Sequence, residues 1–155
     1  MPGITSNIIE LSVFCRKGTT VRYLLLRRAR NEKLYPNIWQ FITGKIKKKE
    51  DAITAAIREL KEETALKPKM IWVVPGILSF YDPDSDIINL SPFLAVEVDY
   101  NVKVKLSHEH DKSDWFTYKE AVRRLIWPSQ REGLKIVKNF IIEKKKTADL
   151  TRIKL

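Results

Sequence analysis

The segment from Glu50 to Leu66 constrains this chain more than any other. Ile53, Ala56, Ile57 and Leu60 recur at the spacing of one helix face, and charged residues fill the other. Glu50 and Asp51 fall in the expected first turn, where the helix dipole favours negative charge, and Pro68 stands just past the expected end. Glu59, Glu62 and Glu63 are three and four residues apart, so on a helix they project from one surface. Like charges at that spacing repel, and the cluster is costly without a cation. Magnesium takes hard oxygen ligands and sits between a few carboxylates and the phosphates of a substrate. A carboxylate left outside the metal shell can act as a base toward water. A solvated face is the ordinary alternative, and Lys61 within the acidic run fits it; three glutamates alone favour that alternative.

The surrounding sequence alternates between strand and loop. Residues 8–15 read as a strand, Arg16 to Thr20 with Gly18 as a turn, and Val21 to Leu26 as the partner strand of a hairpin. Arg30 to Asn37, with Pro36, reads as a loop, and Ile38 to Thr43 as a short strand closed by Gly44. Residues 70–80 are strand-like but broken by Pro75-Gly76, which implies an edge or a bulge; residues 87–98 are apolar and read as a strand, with Pro92 marking an edge or an irregularity. A short strand is expected near Asp114 to Phe116. Thr117 with Glu120, and Ser129 with Glu132, each have the spacing of a capping box and predict two closing helices. The second carries Leu134, Val137, Ile141 and Ile142 toward a core, and beyond Lys144 a basic, frayed tail is expected. Strands interleaved with three helices imply an α/β sheet covered by helices on its faces.

Composition narrows the class. A chain of 155 residues suits one domain, taken as residues 1–155 with a core at about 8–142. A single cysteine, Cys15, cannot form an internal disulfide, which fits a reducing cytoplasm, and its apolar neighbours make it a buried small hydrophobe. The N-terminus lacks the basic start and apolar stretch of a secretory signal, and no run is long enough to span a bilayer, so no membrane partner is expected. Lys and Arg number 29 against 19 Asp and Glu, a formal charge of +10, which favours polyanionic partners.

Read in full, Gly44, five residues, Glu50, seven residues, Arg58-Glu59-Leu60, one residue, Glu62-Glu63, one residue, Ala65-Leu66 resembles the Nudix box. Two positions depart from it: Ala65 stands where the family has glycine, and Lys49 stands where glycine is frequent. The resemblance implies an α/β/α sandwich with a mixed sheet, the box forming loop-helix-loop, and a hydrolase of phosphoanhydride bonds. It implies that Glu59, Glu62 and Glu63 bind a divalent metal with the Gly44 carbonyl assisting, magnesium being expected and manganese the alternative. It implies that Arg58 orients the carboxylates through an ion pair to Glu50. Family members differ in which glutamate is the base, so Glu59 and Glu62 both remain open.

Downstream, His108-Glu109-His110 followed by Trp115 resembles the Glu-His…Trp element of some members, where the glutamate nears the metal; Glu109 is thereby a candidate ligand or base. His108 and His110 alternate as zinc ligands can, but no third ligand stands at a recognisable spacing. With Trp39-Gln40-Phe-Ile-Thr43-Gly44, the outline resembles the dihydroneopterin triphosphate and dATP pyrophosphohydrolase branch, so the expected substrate is a nucleoside or pterin triphosphate cut to monophosphate and pyrophosphate. Hydrolysis of RNA 5′ ends or dinucleoside polyphosphates is the enzymatic alternative, and a non-catalytic nucleotide-sensing module the alternative from another class. Substrate contacts are expected from Arg28 and from Trp39 next to Gln40, with Phe80 and Tyr81 as other stacking candidates, Phe80 fitting a core position better. Lys45, Lys47, Lys48 and Lys49 crowd the loop before the helix and read mainly as solvated surface.

Overall fold

The computed structural model describes residues 1–155. Nine strands form one mixed sheet: β1 (Gly3–Thr5), β2 (Ile8–Lys17), β3 (Thr20–Arg28), β4 (Trp39–Gln40), β5 (Ile42–Lys45), β6 (Met70–Asp82), β7 (Ile87–Glu97), β8 (His110–Phe116) and β9 (Arg152–Ile153). The central order is β4-β3-β2-β7-β6-β9, with β1 added to β7, β5 to β2 and β8 to β3. Strands β2 and β7 run parallel while β2–β3 and β6–β7 are antiparallel, so the sheet is mixed as expected.

Alternation along the strands splits the apolar residues into two layers. Ile9, Leu11, Val13, Leu24 and Leu26 pack with Ala55, Ala56 and Leu60 of α1 (Ala52–Thr64). Phe14, Tyr23, Leu25, Phe41 and Phe93 face the other way, against Ala121 of α2 (Tyr118–Arg124) and Leu134 of α3 (Pro128–Ile136). Helices thus cover both faces, and α1 lies alone on one of them.

The hairpin turn tightens to Gly18-Thr19, with Lys17 opposite Thr20 and Gly18 at φ 59°. The β6–β7 register breaks between Val73 and Ile77, so Pro75-Gly76 marks a bulge. Pro92 does not mark an edge, since β7 is central, but it does stand at an irregularity: the break in register falls between the rungs Val73–Leu94 and Ile77–Pro92. Its missing N–H is tolerated because residue 92 falls between the rungs to β1, which end at Asn89, and those to β2, which begin at Phe93.

Three further expectations are corrected. Neither Glu50 nor Asp51 is in the first turn; Asp51 is the N-cap, accepting from Thr54 N at 2.7 Å, and Glu50 precedes it. The Thr117–Glu120 capping box forms in both halves, but the Ser129–Glu132 box does not. Pro128 fits the first turn of a helix, so α3 starts there and Ser129 is already inside it. α3 continues as a π-helical segment, Val137–Ile142, that buries Val137 and Ile141. The basic tail is not frayed: α4 (Lys145–Ala148) buries Ala148, and β9 pairs Ile153 with Ile71 and Arg152 with Trp72. No helix is long and apolar enough to cross a membrane.

Candidate metal and phosphate site

The site grows from the contact between β5 and α1. Gly44 is opposite Ile9 on β2, and a Cβ placed on it would lie 2.2 Å from Glu59 Cδ. Only glycine lets the Glu59 carboxylate lie against this strand. Glu59 is half-buried, Glu62 exposed and Glu63 buried, so the three glutamates of one helix face meet three environments.

Arg58 organises the first two. Its Nε and Nη2 donate to Glu50 Oε1 and Oε2 at 2.8 and 2.9 Å, a two-pronged fork, and Nη2 also donates to Lys45 O at 2.9 Å. Its Nη1 donates to Glu59 Oε1 at 2.5 Å and to Glu62 Oε2 at 3.0 Å. The expected Arg58–Glu50 ion pair is therefore present, and the same guanidinium reaches two box carboxylates. Glu50 also accepts from Lys47 N at 2.9 Å; the Arg58 fork and this backbone donor hold its carboxyl down at about 2.

Glu63 is held from the other side. Its Oε2 accepts from Ser107 Oγ at 2.6 Å and from His110 Nδ1 at 2.8 Å. Burial alone would raise its pKa, but the two donors outweigh burial and hold it below the usual carboxylate range. Gln40 Nε2 faces His110 Nε2 at 3.4 Å, and both side chains are buried. Ser107 and His110 were not singled out as partners of Glu63, since 44 and 47 residues separate them from it; the β3–β8 pairing and backbone bonds from Lys105 and Ser107 to the end of α1 bring them in.

The donor set suits a divalent cation. Glu59 is pushed above the usual range first by burial, against the pull of Arg58, with Glu62 and Glu63 adding repulsion. One guanidinium thus leaves negative charge unneutralised on hard oxygen donors, the chemistry magnesium takes. No three carboxylate, imidazole or thiol groups converge on one point; Arg58 holds Glu59 and Glu62, and Ser107 and His110 hold Glu63.

The remaining candidates lie further out. Glu109 is exposed and forms no ion pair, one residue from His110. Arg28 is turned into its own loop, donating to Leu34 O at 2.8 Å and pairing with Glu32 at 3.1 Å. Trp39 packs edge-on against Phe116, centroids 5.2 Å apart, on the sheet face away from α1, whereas Gln40 lies opposite Leu26 on the α1 face. Phe80 is not core; it is 45% exposed, as Tyr81 is at 54%, at the end of β6 beyond the reach of β9, which pairs only with Ile71 and Trp72. Lys45, Lys47, Lys48 and Lys49 are exposed, and Lys47 Nζ lies 3.6 Å from Glu62.

A sheet covered on both faces, with Gly44, Arg58 and the glutamates at the junction of loop and helix, defines a class, and comparison with known proteins names it. The chain belongs to the Nudix family: the NUDIX domain model matches residues 10–137. It is 32% identical over 130 residues to an octanoyltransferase of Myxococcus xanthus, a match covering 82% of this chain but only 35% of that protein. It is 27% identical over 110 residues to the asymmetrical bis(5′-nucleosyl)-tetraphosphatase of Mus musculus, covering 67% of this chain and 69% of that protein. The E. coli dihydroneopterin triphosphate pyrophosphohydrolase shares the fold, with a TM-score of 0.67 and 19% identity over 84% of this chain and 95% of that one.

Proposed function

We propose that this Nudix hydrolase cleaves a phosphoanhydride bond in a nucleoside or pterin triphosphate, releasing a monophosphate and pyrophosphate, with magnesium or manganese held by Glu59, Glu62, Glu63 and the Gly44 carbonyl. The observation that carries the reading is the Arg58 fork: one guanidinium joins Glu50, Glu59 and Glu62 in a fixed arrangement against Gly44. When bound, a divalent cation supplies charge neutralisation on non-bridging oxygens and a more acidic water.

The side chains do the rest. Glu50 locks Arg58, and Arg58 locks the rotamers of Glu59 and Glu62, so the carboxylates are positioned before substrate arrives. Glu59, half-buried and raised in pKa, and Glu62 are the candidates to accept the proton of the attacking water, with Glu109 able to approach from its exposed loop. The lysines at 45 and 47–49 draw the polyphosphate toward the loop. Trp39 remains the proposed contact for a flat ring. Arg28 would have to leave Leu34 and Glu32 to reach a phosphate.

The similarity to the mouse tetraphosphatase supports a second reading, hydrolysis of a dinucleoside polyphosphate. The charge of +10 is compatible with RNA 5′ ends, and steep salt dependence of RNA binding would mark that case. The test is product analysis with magnesium over a panel of nucleoside triphosphates, dihydroneopterin triphosphate, a diadenosine polyphosphate and a triphosphorylated RNA. Pyrophosphate released from one triphosphate supports the first reading. Turnover confined to the dinucleotide or the RNA replaces it. Tight binding without turnover of any member would make the domain a nucleotide sensor.

A further inference from the structure

The carboxylate of Glu63 is asymmetric in its bonding. Ser107 Oγ and His110 Nδ1 both donate to Oε2, at 2.6 and 2.8 Å, while Oε1 has no protein partner. Behind His110, Gln40 presents its amide nitrogen to Nε2 at 3.4 Å. An ionised carboxylate oxygen only accepts, so His110 Nδ1 carries a proton aimed at Glu63 Oε2. Glu63, His110 and Gln40 are 5–6% exposed, so no water replaces a lost partner cheaply.

The backbone reinforces the arrangement. Lys105 N donates to Thr64 O at 2.9 Å and Ser107 N reaches Glu63 O at 3.4 Å, so the segment before β8 is tied to the end of α1. His110 stands opposite Arg28 and Gln40 opposite Leu26, both rungs on β3. The ring is thus held by two strands and the carboxylate by the helix.

We propose that Gln40 and His110 form a positioning pair that orients the imidazole and pins Oε2 of Glu63, leaving Oε1 as its single ligand atom for a divalent cation. This rests on the metal reading above and adds to it two residues that never touch the ion. Gln40 then acts through His110, not on substrate. Outer partners of this kind orient a ligand, and their loss commonly weakens metal affinity about 10- to 100-fold.

The experiment is manganese binding to the full chain, read by electron paramagnetic resonance of free Mn²⁺, for wild type, His110→Leu, His110→Asn, Gln40→Met and Glu63→Gln. Near-ultraviolet circular dichroism checks each fold. His110→Leu is expected to weaken Mn²⁺ binding about 10- to 100-fold, and His110→Asn, which keeps a donor near the Nδ1 position, to recover part of the loss. Gln40→Met is expected to weaken it less, and to add nothing once His110 is Leu; it serves alone if His110→Leu does not fold. Mn²⁺ affinity that falls in Glu63→Gln but stays within about twofold of wild type in His110→Leu and Gln40→Met overturns the positioning pair alone. Affinity unchanged in Glu63→Gln overturns the metal reading and the pair with it.

Discussion

Arg58 and Glu50 meet through two parallel hydrogen bonds, 2.8 and 2.9 Å long, across the loop that leads into α1. The fork fixes the guanidinium plane and so fixes where its remaining Nη1 meets Glu59 and Glu62. A lysine offers a point charge and cannot span these partners. Arg58→Lys is expected to lower kcat about 10- to 100-fold through misplaced carboxylates, with a small change in KM. Steady-state kinetics on the substrate found by the panel checks this; a kcat within twofold of wild type would remove Arg58 from the mechanism.

Gly44→Ala tests the cradle. The added Cβ would lie 2.2 Å from Glu59 Cδ, and the backbone strand cannot retreat, so the carboxylate must move. A displacement of about 1 Å at such a site costs on the order of a hundredfold in turnover. Thermal unfolding should change less than activity does.

Glu62→Gln and Glu63→Gln are each expected to lower turnover at least about a hundredfold, the size of a single acid–base or charge-stabilising contribution. Either variant turning over near the wild-type rate would contradict the metal placement.

Both departures from the box fall where the backbone is left-handed: Ala65 at φ 59° closes α1 and Lys49 at φ 68° precedes Glu50. A side chain there carries a steric cost that glycine lacks. Ala65→Gly and Lys49→Gly should each raise stability by about 0.5–1 kcal/mol, net of glycine's greater unfolded-state entropy. Urea denaturation measures it, and destabilisation by either would show that the strain is relieved elsewhere.

Across the sheet from the site, Glu10 is buried beside Gln130, whose Nε2 donates to it at 2.8 Å and whose Oε1 has no partner. Burial pushes the Glu10 carboxyl up to about 7, with the Gln130 hydrogen bond opposing. The folded value exceeds the unfolded one, 4.5, so the native state binds more protons between them, and stability falls as pH rises from about 4.5 through 7. The loss attributable to this group is about 2–3 kcal/mol. Glu10→Gln removes the charge and lets its amide donate to the orphan Oε1, so its stability should exceed wild type more at pH 8 than at pH 5. Equal pH dependence in both proteins would sink this assignment.

Legibility in the sequence followed the range of the interactions. The helix at 52–64, the hairpin, the Pro75-Gly76 bulge and the Thr117 cap are set within a few residues, and periodicity and turn chemistry reveal them. The Arg58–Glu50 pair was readable because both residues lie in one fixed-spacing motif. Contacts made by tertiary packing between distant segments were not readable: Ser107 and His110 on Glu63, Gln130 on Glu10, and Ile153 returning to Ile71 are 44, 47, 120 and 82 residues apart. Ser129 misled because a local spacing signal competed with Pro128, which fixes the helix start one residue earlier.

The central claim is that the glutamates around Arg58 act through a divalent cation to break a phosphoanhydride bond. The most direct measurement is pyrophosphate release from a nucleoside or pterin triphosphate while magnesium is titrated into chelator-treated protein, for wild type and Glu62→Gln in parallel. The account predicts no release without the ion, saturable release with it, and a loss of at least about a hundredfold in Glu62→Gln. Release that persists in excess chelator, or that is equal in the two proteins, would contradict it.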